Sequence, residues 1–196
     1  VWIFENAAGT NSTSIPLNIA TASVDNNVVI INHETSPANP AVPSLSSDIP
    51  TPTPIANNIA KVTFSHPASN SFPSSLLQQL TDELASLNKN ESVTVIILQS
   101  EGTGAFCAGA SFDELVAISN YEDGSKFFSG FANVINAMRK CSKLIIGRIH
   151  GKAVGGGVGL AAACDYNFAK QKSDIKLSEI AIGIGPFVIE PAVSRK

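Results

Sequence analysis

KLIIGRIHGKAVGGGVGLAAACD, residues 143–165, decides the fold. It opens as an apolar, β-branched run (Leu144, Ile145, Ile146, Ile149) of the kind a buried strand uses. It then crosses Gly151 into a triple glycine, Gly155-Gly156-Gly157, and enters a small-residue helix expected from about Val158 to Cys164. Glycines between a strand and a helix let backbone approach a ligand closely, and the first turn of a helix leaves N–H groups without partners. Those donors and the positive end of the helix dipole favour negative charge.

On either side of this stretch, apolar strands alternate with amphipathic helices. A strand is expected over Ile59–Phe64 after an Asn57-Asn58 turn, and Pro73 suits a first helical position. Leu76, Leu77, Leu80, Leu84 and Leu87 then share one helical face through about Asn88. Val93–Leu98 (VTVIIL) is continuously apolar and is expected in a sheet covered on both faces. A glycine-rich loop, EGTGAFCAGAS, follows; then come a short helix near Phe112–Ile118 and a longer one from about Ser125 to Lys140. Phe127, Phe128, Phe131, Val134, Ile135 and Met138 make the apolar side of that longer helix. A strand near Tyr166–Ala169 and a loop carrying Ile175–Glu179 close the pattern, which predicts an α/β fold.

Composition breaks near residue 55. Residues 1–54 hold seven of the eleven prolines, four acidic residues and no lysine or arginine. All 13 basic residues lie from Lys61 onward against 12 acidic ones, so that part sums to 13 − 12 = +1. Residues 36–54 (SPANPAVPSLSSDIPTPTP) read as a Pro/Ser/Thr-rich linker, extended and unpacked. Short strands are expected at Val1–Phe4 and Val28–Ile31. The division is therefore a low-complexity segment, 1–54, and a globular domain, 55–196.

With 196 residues, 44% of them hydrophobic, the chain can bury a sizeable core. Its net charge of −3, with no basic stripe, does not suit a nucleic-acid partner. No apolar run has the length of a membrane span and no signal-peptide pattern opens the chain, so no membrane partner is expected. Val1 in place of Met suggests a fragment. Cys107, Cys141 and Cys164 are too few and too scattered for a disulfide framework or a metal cluster. Reduced thiols in the cytoplasm, or another reducing compartment, are the expectation.

The chemistry lies in two glycine-rich turns, each after an apolar strand: Cys107-Ala108-Gly109-Ala110 and Val154-Gly155-Gly156-Gly157. N–H groups from separate loops can converge on one oxygen, as an oxyanion hole requires. These turns, with IAKVTFSHPASN (59–70), VTVIILQSEGTGAFCAGASFDEL (93–115), the opening stretch and IKLSEIAIGIGP (175–186), resemble the crotonases, the enoyl-CoA hydratase/isomerase superfamily.

The resemblance runs from about Ile55 to the end. It implies a spiral of ββα units, assembled as trimers or pairs of trimers, acting on acyl-CoA thioesters with no cofactor beyond the coenzyme A of the substrate. It places the thioester oxygen on the N–H groups of Ala110 and Gly156, with Glu179 as acid/base. It lines the acyl-CoA site with Ser69, Ser71, Ala108, Gly109, Ala110, Ser111, Phe112, Val154, Gly155 and Gly156.

Departures from the family pattern are specific. Hydratases carry one glutamate three residues after the middle glycine of the triple, and here that position is Gly159. Glu190 is the candidate substitute, and its alternative is a solvated surface residue. The basic residues often found after the first strand's proline are replaced by Ala68-Ser69-Asn70, leaving Lys152 as a stand-in. The aspartate common after the first oxyanion alanine is Ser111, and the family's C-terminal helices would lie beyond Lys196.

Three other readings stand beside this one. Gly157-Val158-Gly159-Leu160-Ala161-Ala162 fits a dinucleotide fingerprint with Glu179 as its acid, although His150–Gly156 separates it from the strand. Cys107 with His150 suggests a thiol nucleophile, though no third group orients them. A non-catalytic acyl-CoA-binding or scaffold protein on the same frame is the third.

Overall fold

The computed structural model describes residues 2–5, 49 and 53–196, the first four through their backbone. Eight strands and five helices follow in chain order: β1 (Trp2–Glu5), β2 (Ile55–Ala56), β3 (Ile59–Phe64), α1 (Ser74–Lys89), β4 (Val95–Ser100), α2 (Phe112–Val116), α3 (Tyr121–Lys140), β5 (Leu144–Ile149), β6 (Ala153–Val154), α4 (Gly156–Ala163), β7 (Tyr166–Lys170), β8 (Ile175–Lys176) and α5 (Glu190–Val193). A 3-10 helix, Ser178–Ile182, lies between β8 and α5. The α/β class expected from the strand–helix alternation is the one observed.

Six strands form one sheet in the order β1-β7-β5-β4-β3-β2, parallel except for the β2–β3 hairpin. That hairpin turns at Asn57 and Asn58, both at positive φ (52° and 64°), the geometry of a two-residue turn matched to strand twist. Each parallel step from β3 to β4 to β5 to β7 is crossed by helix, so the helices collect against the sheet. There α1 packs on α3, α3 on α4, and α4 on α5.

β3 and β4 alternate between fully buried and half-buried positions, and β5 does so from Ile145 onward. Ile96 and Leu98 are fully buried while Ile97 between them is not. The continuous apolar run of β4 thus belongs to a sheet that helices cover on one face, among the described residues. This corrects the two-sided burial expected from its composition. On β7, Tyr166 and Phe168 are exposed on alternate positions for the same reason.

All five leucines of the expected stripe are buried in α1. Pro73 precedes this helix and has no side chain to cap it, so Glu114 of α2 supplies the acceptor. Its carboxylate takes the Ser74 N–H at 2.9 and 3.1 Å. Ser111 in turn caps α2, its Oγ accepting the Glu114 N–H at 3.3 Å. α4 differs: every residue from Gly156 to Ala163 is buried, which its glycines and alanines permit by letting neighbours approach on all sides.

The N-terminal expectations divide. Strand β1 occupies the first expected site, shifted by one residue, and pairs parallel with β7. Val28–Ile31 and most of the linker lie outside the described residues. Within the linker, Ile49 is only 3% exposed and its N–H donates to Gln79 Oε1 of α1 at 3.1 Å. Thr53 is also buried. At these two positions the chain is buried rather than standing free, and at Ile49 α1 supplies an amide acceptor.

Candidate active site

The two glycine loops are laced together by backbone. An aromatic cluster fixes the first: Phe64, Phe72 and Phe106 are fully buried, with Phe64 centroids 4.7 Å from Phe72 and 5.4 Å from Phe106. The Phe72 N–H donates to Gly109 O at 2.7 Å, and the Ser111 N–H to Phe72 O at 2.9 Å. That pairing ties the residues on both sides of Ala110 and leaves the Ala110 N–H free to face elsewhere.

The first loop then holds the second. Cys107 N–H donates to Lys152 O at 3.3 Å and Val154 N–H donates to Cys107 O at 2.9 Å. The second loop is held to the segment bearing Glu179: Ala153 N–H donates to Asp174 O at 2.9 Å and Gly155 N–H to Lys176 O at 2.8 Å. A single backbone ladder therefore runs from Phe72 through both loops to β8, and Glu179 follows three residues later in the 3-10 helix.

Close approach explains the glycines here. A Cβ at Gly109 would stand 3.0 Å from Val154 O and 3.4 Å from Gly156 N, so the loops meet where only hydrogen fits. Gly155, with φ +52°, caps α4 in a conformation that side chains rarely adopt, and a Cβ there would meet Glu179 Oε1 at 2.9 Å. The Phe131 ring lies directly on Gly156. Among the described residues, no loop or cap carbonyl accepts the N–H of Ala110 or Gly156, and Gly156 is the first residue of α4, where orphan donors are expected.

These pieces surround one cavity of about 200 Å³. Ala108, Gly109, Ala110, Phe112, Gly155 and Gly156 line it, together with Glu179. Among the described residues, Glu179 Oε2 is buried with no hydrogen-bond partner. The remaining expected positions lie elsewhere. Ser69 is an exposed turn residue at φ +56°, Ser71 Oγ contacts His66 Nδ1 at 3.2 Å, Ser111 caps α2, and Val154 is spent in the β6–β8 pairing. None of these four lines the cavity.

Further lining residues were not expected in this role. Phe127 and Phe128, assigned from sequence to the apolar side of α3, turn toward the cavity, and Phe128 remains 39% exposed. Ile182, Ile184, Val188 and Ile189, from the segment after Glu179, also contribute to the wall. The one available signal was the surplus of phenylalanine at the start of α3, wider than a core stripe needs.

The rival assignments meet steric and electrostatic limits. Gly157 and Gly159 lie inside α4, where a Cβ would run into Cys107 and Ile189 respectively. Such enclosed glycines leave no open backbone for a pyrophosphate. Burial pushes the Cys107 thiol up to about 12, far from thiolate chemistry, and its Sγ is occupied by the Gly109 N–H at 3.4 Å. Glu190 is exposed in the first turn of α5 and does not line the cavity. Asp165 has a structural task, its Oδ2 accepting the Ile145 N–H at 2.8 Å.

Known proteins are similar to this chain in sequence and in fold. The sequence model of the enoyl-CoA hydratase/isomerase family matches residues 54–196. Methylglutaconyl-CoA hydratase of Homo sapiens is 36% identical over 117 residues, 60% of this chain and 34% of that protein. A Bacillus subtilis (strain 168) protein described as a probable enoyl-CoA hydratase is 32% identical over 128 residues, 65% of this chain and 49% of that one. The chain thus spans between a third and a half of the length of these two relatives. A Legionella pneumophila crystal structure described as a crotonase superposes with a TM-score of 0.68 at 29% identity, over 73% of this chain and 56% of that one. By its sequence from residue 54 onward and by its fold, this chain belongs to the enoyl-CoA hydratase/isomerase family.

Proposed function

We propose that the chain binds an enoyl-CoA thioester and moves a proton between two of its carbons, with Glu179 as the only acid/base. The observation that carries this is the placement of the Glu179 carboxylate against Gly155, in the cavity that Ala110 and Gly156 also line. The thioester oxygen accepts the Ala110 and Gly156 N–H groups. Glu179 takes a proton from the carbon between the carbonyl and the double bond, and the electron pair moves onto the oxygen as an enolate. The same carboxyl group, now protonated, delivers that proton to the far carbon as the double bond shifts. Donors placed for the charge that develops are worth about 10²–10³ in rate apiece, so the two N–H groups are the principal catalytic contribution.

Proton shuttling is favoured over water addition because, among the described residues, no second carboxylate lines the cavity. Gly159 stands where the family resemblance puts the other glutamate, and Ile189 with Ile135 fills the space beside it. One carboxylate suffices to remove and return a proton, whereas orienting and splitting a water is better served by two.

The test is product analysis on 2-enoyl- and 3-enoyl-CoA substrates. Native protein is expected to interconvert the two faster than it hydrates either, and Glu179→Gln to lose turnover by about 10²-fold or more while binding persists. Rapid hydration retained in Glu179→Gln would overturn the assignment.

A further inference from the structure

α2 is attached by charge rather than by packing. None of its five described residues, Phe112–Val116, is buried, and Phe112 and Val116 stand 64% and 65% exposed. A helix of little more than one turn does not sustain itself, and this one has no buried apolar stripe to hold it down. Its anchor is the Glu114 carboxylate. The Ser74 N–H donates to both oxygens, at 3.1 and 2.9 Å, and Ser74 Oγ donates to Oε2 at 2.5 Å. Ser74 opens α1, whose Leu76, Leu77 and Leu80 are buried just beyond it, so the anchor point is fixed in the core.

A closed ring of bonds runs from this contact to Ala110. Ser111 Oγ accepts the Glu114 N–H at 3.3 Å, the Ser111 N–H donates to Phe72 O at 2.9 Å, and Phe72 lies two residues before Ser74. The ring also sets a direction. Gly109 O accepts the Phe72 N–H at 2.7 Å. That oxygen and the Ala110 N–H belong to one planar trans peptide and point opposite ways, so the Ala110 N–H faces away from Phe72. Residues 72–74 thus aim the Ala110 donor, and Glu114 clamps them to the segment on its far side.

We propose that Glu114 is a positioning residue for the Ala110 N–H, holding α2 and the 109–111 turn in the orientation an oxyanion needs. The inference rests on the acyl-thioester reading above and adds to it a side chain that touches no reacting atom. Among the described residues of α2, Phe112 and Leu115 line the cavity and Glu114 does not. Without the carboxylate, the Ser74 N–H loses its acceptor at a helix start that Pro73 cannot cap, and α2 is free to swing about Ser111. A displaced donor loses its advantage where the charge develops, which is in the transition state. The loss therefore falls on kcat rather than on KM.

Steady-state kinetics on a 3-enoyl-CoA thioester and amide hydrogen exchange, both on the full chain, test this. Glu114→Ala is expected to lower kcat by about tenfold or more while KM stays within about twofold of native. Glu114→Gln keeps a carbonyl oxygen for the Ser74 N–H and should retain about half of native kcat or more. In Glu114→Ala the Leu115 and Ala117 amides, which donate to Ser111 O and Asp113 O within α2, should exchange faster than in native protein by about tenfold or more. Should Glu114→Ala not fold, Ser74→Ala deletes only the hydroxyl bond and is expected to lower kcat about threefold, again at constant KM.

A folded Glu114→Ala with native kcat, or with KM raised and kcat kept, overturns the inference, as does unchanged exchange in α2. Glu114→Gln as slow as Glu114→Ala overturns it too, since the negative charge and not the acceptor would then be what matters. These outcomes leave the acyl-thioester reading intact. If native protein turns over no enoyl-CoA thioester, that reading fails and this inference falls with it.

Discussion

α1 and α4 both fill crossovers between parallel strands, yet they are opposite kinds of helix. α1 is amphipathic: five leucines face inward, while Gln78, Asp82 and Ser86 are among its exposed residues. α4 has no exposed residue. An amphipathic helix can be placed by one stripe, since its stability comes from burying that face. A helix enclosed on every side must satisfy several neighbours at once, which is why Gly156, Gly157 and Gly159 each meet a different one: Phe131, Cys107 and Ile189. The candidate chemistry gathers at the enclosed helix, because there backbone rather than side chain faces the cavity. The two helices should therefore respond differently to the same kind of substitution.

The largest effect is expected from filling α4. Gly159→Glu, which would supply the family's missing carboxylate, must force its side chain into the Ile189 and Ile135 seat. Overpacking combined with a buried, unpaired carboxylate should destabilise by about 4 kcal/mol or more, without a gain in hydration. Adding Ile189→Ala opens the seat and should recover part of the stability. Denaturant melts of the single and double variants check this, and a single variant as stable as native would show that α4 is not enclosed as described.

In α1 the corresponding experiment removes atoms. Leu84 is 1% exposed, and Leu84→Ala should cost about 3 kcal/mol through lost burial and the cavity left behind. Activity of the fraction that remains folded should be little changed, since α1 supplies nothing to the cavity lining. A turnover loss well beyond the unfolded fraction would tie α1 to the site.

Gly156→Ala separates packing from chemistry within α4. A Cβ there strikes the Phe131 ring, so either the ring or the Gly156 N–H must move. Turnover should fall by about a hundredfold, equivalent to roughly 2.7 kcal/mol in the barrier. The stability change should be smaller, because alanine also gains about 1 kcal/mol of helix propensity over glycine. Native turnover in this variant would show that the Phe131 ring yields while the Gly156 N–H keeps its place.

These contrasts also explain what was legible in the sequence. The leucine stripe of α1 could be read because a period of 3.6 is a local property, and the start of α4 because three consecutive glycines have few other uses. The partner of each glycine could not be read, since Ile189 lies 30 positions from Gly159 and nothing local links them. The same limit hid the cavity-facing role of Phe127 and Phe128, whose helical stripe looks identical whether it meets a core or a pocket. It also hid Ile49, an isolated apolar residue in a proline-rich run that finds its seat on α1. One-sided cover of the sheet was obscured by β4, whose partly buried face is as apolar as its buried one.

The smallest expected effect concerns the strand leading into the α4 loop. His150 follows β5 with 8% exposure, and among the described residues neither Nδ1 nor Nε2 has a hydrogen-bond partner. His66, by contrast, meets Ser71 Oγ at 3.2 Å and accepts the Ala68 N–H at 3.3 Å. Burial, then the positive charges of Arg148 on the same strand and Lys170 on β7, hold the His150 pKa below its ordinary 6.5. The folded state therefore binds this proton less readily than the unfolded chain. Between the two pKa values the unfolded state carries more protons, so stability rises with pH there and is lost as pH falls below about 6.5, levelling off beneath the folded value. One proton bounds the slope at about 1.4 kcal/mol per pH unit. His150→Asn removes the titration while keeping a polar side chain, so comparing the two proteins cancels the carboxylates common to both. Urea melts at pH 7.5 and 5.5 should show native protein losing more stability than the variant. An equal or larger loss in His150→Asn would show that the orphaned imidazole is not what makes this strand sensitive to acid.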